Sequence, residues 1–284
     1  MPRRIVEKML PYALGRYYNA LYRVAPEKAA EKAFALFCTP RGGAIKEKDR
    51  PFLERARQSE VKTRSGIRIN TYVWPGKSEE TVLLLHGWQS NAGRWRRLGP
   101  YLEQQGFAVA AIDAPAHGQS GGRIFNAYLY AEAVEAFMKR HSVRYLVGHS
   151  VGGMTVSYLV THFDAPAVQK IVLLGAPSDL TDITNHFNKI LRLNENTQEG
   201  VRRYFEKRFG NPVSYFSVAD FCRRIELPTL VVHDRYDPMA KLQDALRYET
   251  ALKHGKLLIT EHLGHELQDE QVYREIAAFF QGKG

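Results

Sequence analysis

The residues best equipped for chemistry lie in Leu146-Val147-Gly148-His149-Ser150-Val151-Gly152-Gly153. A serine with a glycine two residues to either side suits a very tight turn between a strand and a helix. The glycines remove side chains that would clash there, and the hydroxyl is left accessible. Such a serine is a candidate nucleophile. It needs a base to take its proton, a carboxylate to orient that base and two backbone N–H groups to hold an oxyanion. The bare G-x-S-x-G pattern arises by accident in a chain this long about one time in ten, so context must decide. Val143-Arg144-Tyr145-Leu146-Val147 before it is β-rich, and Met154 to Phe163 after it carries no Asp, Glu, Lys, Arg or Pro, as a buried helix would. Asp237 follows the apolar run at 229–232, and His265 follows another at 257–260. Ser150, Asp237 and His265 therefore occur in the order nucleophile, acid, histidine.

These three residues need a scaffold that delivers strand ends to one edge. From about residue 60 the pattern supplies it. Glu60–Arg64 and Ile67–Trp74, separated by Ser65-Gly66, read as a hairpin. Thr81–Leu85, Phe107–Ile112, Ile171–Leu174, Thr229–Val232 and Leu257–Thr260 read as further strands. Between them, Trp95–Gln105 reads as a helix, and Ala127–His141 places Tyr130, Ala133, Val134, Phe137 and Met138 on one face. Val272, Ile276, Phe279 and Phe280 mark a final helix. A hairpin followed by such alternation predicts an α/β fold, with a mostly parallel central sheet and helices on both faces.

Two stretches fall outside this rhythm. Residues 1–55 read as an N-terminal helical extension, with Pro26 starting a helix that Thr39-Pro40 ends. About fifty residues separate the strand ending at Gly175 from the next, more than a crossover needs. Ile183, Phe187, Ile190 and Leu191 form one amphipathic stripe, and Val201, Tyr204, Phe205 and Phe209 form another, with Asn194-Glu195-Asn196 between them. These predict a helical cap insertion at about 177–226 within a second domain of 56–284, over the strand ends where open α/β sheets bind ligands.

Taken together, Leu85-His86-Gly87-Trp88, Asp113-Ala114-Pro115-Ala116-His117-Gly118-Gln119-Ser120, Gly148 to Gly153, Asp234-Arg235-Tyr236-Asp237-Pro238 and Gly264-His265 resemble the α/β-hydrolase superfamily, in its order and over roughly residues 60–283. The resemblance implies Ser150 as nucleophile, Asp237 as acid, His265 as base, and oxyanion N–H groups from Trp88 and Val151. It implies a serine esterase or lipase-like enzyme that cleaves a carboxylic ester of a small molecule through an acyl-enzyme, with no cofactor. Thioester, amide or acyl-transfer chemistry would use the same residues, and a non-catalytic binding protein could share the fold. Ala116 departs from the glycine common in relatives and predicts a less permissive backbone in a structural loop.

Each assignment has competitors. Asp234 is a second acid three residues from Asp237, expected to form a salt bridge beside Arg235. Asp179 stands where some relatives carry the acid. His262 is expected on the flank of the last strand, His117 as a satisfied structural histidine, and His86 as a stiffener of the oxyanion loop. His149 is a candidate pocket residue or a packing one. Phe187, Ile190 and Leu191 are candidates for an apolar acyl site, with plain packing as the alternative.

The formal net charge is +10. The cations are spread along the chain without a recognisable nucleic-acid module, so a solvated surface is favoured over nucleic acid as their reason. Cys38 and Cys222 are far apart, which suggests a reducing compartment and no disulfide framework. No C-x-x-C or H-E-x-x-H argues for a metal. The start of the chain has no signal-peptide core, and no run approaches the ~20 apolar residues of a membrane span. The expectation is a cytoplasmic protein. Arg3, Arg4, Lys8, Arg16 and Arg23 among apolar residues raise peripheral contact with an anionic membrane surface as an alternative to packing.

Overall fold

The computed structural model describes residues 3–76 and 81–283, and side chains of the first helix from Leu10 onward. In chain order the elements are α1 (Arg3–Val24), α2 (Pro26–Cys38), α3 (Arg50–Glu54), β1 (Arg57–Lys62), β2 (Arg68–Trp74), β3 (Thr81–Leu85), α4 (Leu98–Gln104), β4 (Ala108–Ile112), α5 (Ala127–Met138), β5 (Val143–His149), α6 (Val151–His162), β6 (Lys170–Leu174), α7 (Leu180–Leu191), α8 (Glu195–Phe209), α9 (Val218–Cys222), β7 (Thr229–Asp234), α10 (Leu242–Ala251), β8 (Gly255–Thr260) and α11 (Glu270–Phe280). They form two compact units. Residues 40–178 and 218–284 make one, and 1–39 with 179–217 the other.

In the first unit the described strands form one eight-stranded sheet in the order β1-β2-β4-β3-β5-β6-β7-β8. The β1–β2 and β2–β4 pairs are antiparallel and the rest parallel. The central strands read as continuous apolar runs because both their faces are covered: every residue of β4 and β7 is buried. The edge strands β1 and β8 are largely exposed and carry polar residues. One face packs Val82, Leu84, Val109, Ala111, Val147, Val172 and Val232 with Leu98 and Leu102 of α4 and Val272, Ile276 and Phe280 of α11. Helices α5, α6, α9 and α10 pack with one another and with the sheet. Register places Leu85 beside both Ile112 and Gly148, His149 beside Leu174, Leu174 beside Val232, and Asp234 beside Thr260. The loops after β3, β4, β5, β6, β7 and β8 therefore leave from one edge. The chain runs from β3 outward to β4 and then back across to β5, so β3 and β5 flank the switch point where such sheets bind ligands.

Residues 40–55 and 218–226, read from sequence as parts of the extension and the insertion, belong to this sheet unit. Phe52 stacks on Trp74 at 4.3 Å between ring centroids, and Val218, Phe221 and Cys222 of α9 are buried. The helix expected from Trp95 starts only at Leu98, after a 3-10 turn at Ala92–Trp95.

The second unit joins α1 and α2 to α7 and α8. Its core holds Tyr18, Ala33, Leu191 and Leu193, with Leu14, Leu36, Phe187 and Val201 packed against it. Phe34 of α2 lies 5.3 Å from Tyr204, 6.2 Å from Phe205 and 6.0 Å from Phe209 of α8. Phe187 and Leu191 of the first stripe and Val201, Tyr204, Phe205 and Phe209 of the second thus pack against the N-terminal helices, while Ile190 stays exposed. Asn194 ends the interval between α7 and α8 by capping α8, its side chain accepting from the Thr197 amide.

Candidate active site

The turn at Ser150 follows from backbone crowding. A methyl at Gly148 would lie 2.4 Å from the Gly152 carbonyl oxygen, and one at Gly152 would lie 2.3 Å from that of Leu85. Only glycine allows β5, α6 and the end of β3 to approach so closely. Ser150 itself has φ 55° and ψ −124°, a conformation that costs a non-glycine residue about 1–3 kcal/mol. Its amide donates to the Leu174 carbonyl at 2.8 Å, which fixes it next to Gly175. Gly175 in turn lies against the acid and the histidine: a methyl there would sit 3.4 Å from both Asp237 Oδ2 and His265 Nδ1.

His265 Nδ1 and Asp237 Oδ2 are 2.7 Å apart. The other carboxylate oxygen accepts from the amides of Met239 at 2.7 Å and Ala240 at 3.0 Å. The Asp237 side chain is fully covered, whereas that of His265 is 17% exposed. Burial by itself would raise the Asp237 pKa. The hydrogen bonds from His265, Ala240 and Met239 outweigh it and hold the carboxyl below its ordinary value. The carboxylate therefore stays charged, and Nδ1 of His265 carries the proton it accepts, leaving Nε2 as the basic nitrogen.

Asp234 does different work. It is fully buried and accepts from the Tyr236 amide, the Thr260 hydroxyl and the Leu263 amide. Burial would raise its pKa, but these donors lower it. The salt bridge expected beside Arg235 is not formed: Arg235 pairs with Glu261 at 2.8 Å, and Asp234 ties the loop carrying Asp237 to the one carrying His265. Asp179 flanks α7 and pairs as an isolated β-bridge with Ser217 in the helical unit.

The loop after β3 lies against the serine. A methyl on Gly87 would come within 2.8 Å of Ser150 Cβ. His86 Nδ1 contacts the Gly87 carbonyl at 2.8 Å, and its Nε2 accepts from the Ala114 amide at 2.9 Å. Burial and the neighbouring His117 push His86 down to about 3, so it is neutral, with the proton on Nδ1. The Gly87 carbonyl and the Trp88 N–H belong to one planar peptide and point in opposite directions. Pinning one therefore aims the other. The Val151 N–H opens α6 and so has no intrahelical acceptor. His117 accepts from the Gln89 amide through Nε2 and contacts the Pro115 carbonyl through Nδ1, a satisfied structural histidine. His262 is exposed and stacks on Tyr236 at 4.6 Å.

His149 is 3% exposed and gives no wall to a pocket. Its Nε2 donates to the backbone carbonyl of His265 at 2.7 Å. Burial first, then the Arg94 charge, push its pKa well below the ordinary value and keep it neutral. Arg94, which sequence reasoning missed, has a side chain only 7% exposed and donates to the carboxylate of Glu266 at 3.0 Å and its carbonyl at 2.9 Å. Two side chains thus hold consecutive carbonyls of the histidine loop. Of the proposed acyl-site residues, Leu191 and Phe187 pack in the core of the helical unit, and Ile190 is 49% exposed. Leu191 and Phe187 thus pack as the alternative reading requires, whereas Ile190 is left largely exposed.

Ala116 has φ 61°. The loop keeps the left-handed conformation that glycine would favour, and the alanine bears the strain.

A family model for the alpha/beta hydrolase fold matches residues 80–219. A pimeloyl-[acyl-carrier protein] methyl ester esterase of Edwardsiella ictaluri is 30% identical over 141 residues, covering 45% of this chain and 52% of its own. The dihydrolipoyllysine-residue acetyltransferase component of the acetoin cleaving system of Cupriavidus necator is 34% identical over 125 residues, 42% of this chain and 32% of its own. This chain thus spans about a third to a half of the length of these curated relatives. Among solved structures, an esterase from Pyrococcus furiosus superposes with a TM-score of 0.66 at 19% identity, over 86% of this chain and 97% of that one, a likeness of fold.

Proposed function

This chain belongs to the α/β-hydrolase superfamily, and on that premise we propose that it is a serine hydrolase cleaving a carboxylic ester through an acyl-enzyme. The observation that carries the reading is the 2.7 Å contact between His265 Nδ1 and the covered Asp237 carboxylate, formed beside the strained turn of Ser150. In the proposed route His265 Nε2 takes the Ser150 proton as the hydroxyl oxygen attacks the ester carbonyl. The Trp88 and Val151 amides receive the oxyanion. Asp237 holds the imidazole and stabilises its charged form. His265 then gives its proton to the leaving alcohol and activates water to release the acid. The ester named in the Edwardsiella ictaluri relative supports this choice of bond, and the acetyltransferase name of the Cupriavidus necator relative keeps acyl transfer as a second outcome.

The test is a panel of p-nitrophenyl esters of rising acyl length, with a thioester and an anilide alongside, run on wild type and Ser150→Ala. Ester turnover with a pre-steady-state burst of p-nitrophenol, absent from Ser150→Ala, is the expected result. Turnover only when an acceptor alcohol or thiol is added would move the reading to acyl transfer. Folded protein inert on every substrate would favour a binding protein.

A further inference from the structure

Helix α1 has one apolar side too many. Gly15 and Tyr18 face the core of the helical unit, Gly15 against the backbone of Leu191. At 100° per residue, Leu10, Ala13, Tyr17, Ala20 and Val24 fall in a single line roughly opposite that side. All five are exposed, and the three large ones, seven residues apart, are exposed by 48%, 49% and 81%. A helix anchored on one side by its core needs no second apolar line (i, i+3, i+7, i+10, i+14) for folding.

The charges beside the line say what it would meet. Arg16 and Arg23 lie next to it on one flank, and Arg192, from the end of α7, stands 5.1 Å from the Tyr12 ring, which Arg16 approaches at 5.8 Å. By sequence, residues 3–24 hold five cations, Arg3, Arg4, Lys8, Arg16 and Arg23, against one acid, Glu7. The side chains of Arg3, Arg4 and Lys8 lie outside the described residues. A second copy of this chain docking by the same face would bring these cations together. A partner with apolar depth and dispersed negative charge fits both features. None of the described helices is long and apolar enough to cross a membrane, so the fit is to a helix lying in the interface plane.

We propose that the Leu10–Tyr17–Val24 face of α1 seats in the headgroup layer of an anionic lipid bilayer, with Arg16, Arg23 and Arg192 on the lipid phosphates. This does not depend on the chemistry at Ser150. The experiment is co-sedimentation of the full chain with phosphatidylcholine vesicles and with vesicles that also contain phosphatidylglycerol, at rising salt. Binding only to the anionic vesicles, weakening with salt, is expected. Leu10→Glu/Tyr17→Glu/Val24→Glu should abolish it. Arg16→Glu/Arg23→Glu should weaken it by about tenfold or more. All substituted side chains are exposed, and circular dichroism checks that each variant folds. No binding, equal binding to both vesicles, or undiminished binding by the triple variant would overturn the proposal. So would a dimer in solution that the triple variant dissolves, since the occupant would then be a second copy.

Discussion

Two aspartates three residues apart divide the labour at the acid position. Asp237 accepts from His265, and Asp234 accepts from three donors that bind neighbouring loops together. Asp237→Asn should therefore lower kcat by about 10⁴-fold with little change in the denaturant midpoint. Asp234→Ala should instead lower stability by about 2–4 kcal/mol, because it strands buried donors; urea unfolding read beside ester kinetics separates the two. In the proposed mechanism His149 would act as a positioning residue, through its hydrogen bond to the His265 carbonyl. His149→Leu removes the donor to the His265 carbonyl and should cost about 5- to 150-fold in kcat with KM little changed, while His149→Gln restores most of it. Ser150, Asp237 and His265 were legible as candidates because each follows a strand in a recognisable local pattern. The roles of His149 and Arg94 were not, because their partners lie 116 and 172 positions away and nothing in either local sequence points there.

At the scale of elements, the alternation of strands and helices was readable because buried parallel strands leave short apolar runs and helices leave a 3.6-residue period. Strand β3 occupies the residues predicted for it, and Asn194 marks the start of α8. The partnership of α1 and α2 with α7 and α8 was not readable. Amphipathic stripes show that a side must be buried without showing against what. That partnership has a consequence. Leu191 is 3% exposed in the core shared by these helices, so Leu191→Ala should destabilise the helical unit by about 2–5 kcal/mol. Limited proteolysis should then cut within 179–217 faster than in wild type. An altered acyl-length preference at unchanged stability would instead return Leu191 to the substrate site.

Across the whole molecule, buried neutral histidines couple folding to pH. His86 is pushed to about 3, and His149 and His117 are also lowered, each chiefly by burial. Unfolded, these histidines would bind protons below about pH 6.5. Their folded pKa values are depressed, so their stabilising contribution is complete above that value and is lost as pH falls toward the folded values. The slope is up to about 1.4 kcal/mol per pH unit for each. Asp113, raised by burial, opposes this in the acid range, and Asp234 and Asp237, both lowered, add to the loss below about pH 4. Urea midpoints should fall steadily from pH 7 to pH 4.5, and a flat profile would contradict the buried neutral state.

If Ser150 is the nucleophile, an active-site electrophile should trap it covalently. Cys38 and Cys222 are buried thiols pushed to about 12, so neither competes for an electrophile at neutral pH. A fluorophosphonate should add once per chain. Peptide mapping should place the adduct on Ser150, and folded Ser150→Ala should take up none. An adduct on another residue, or none on the folded wild-type chain, would rule out Ser150 as the nucleophile.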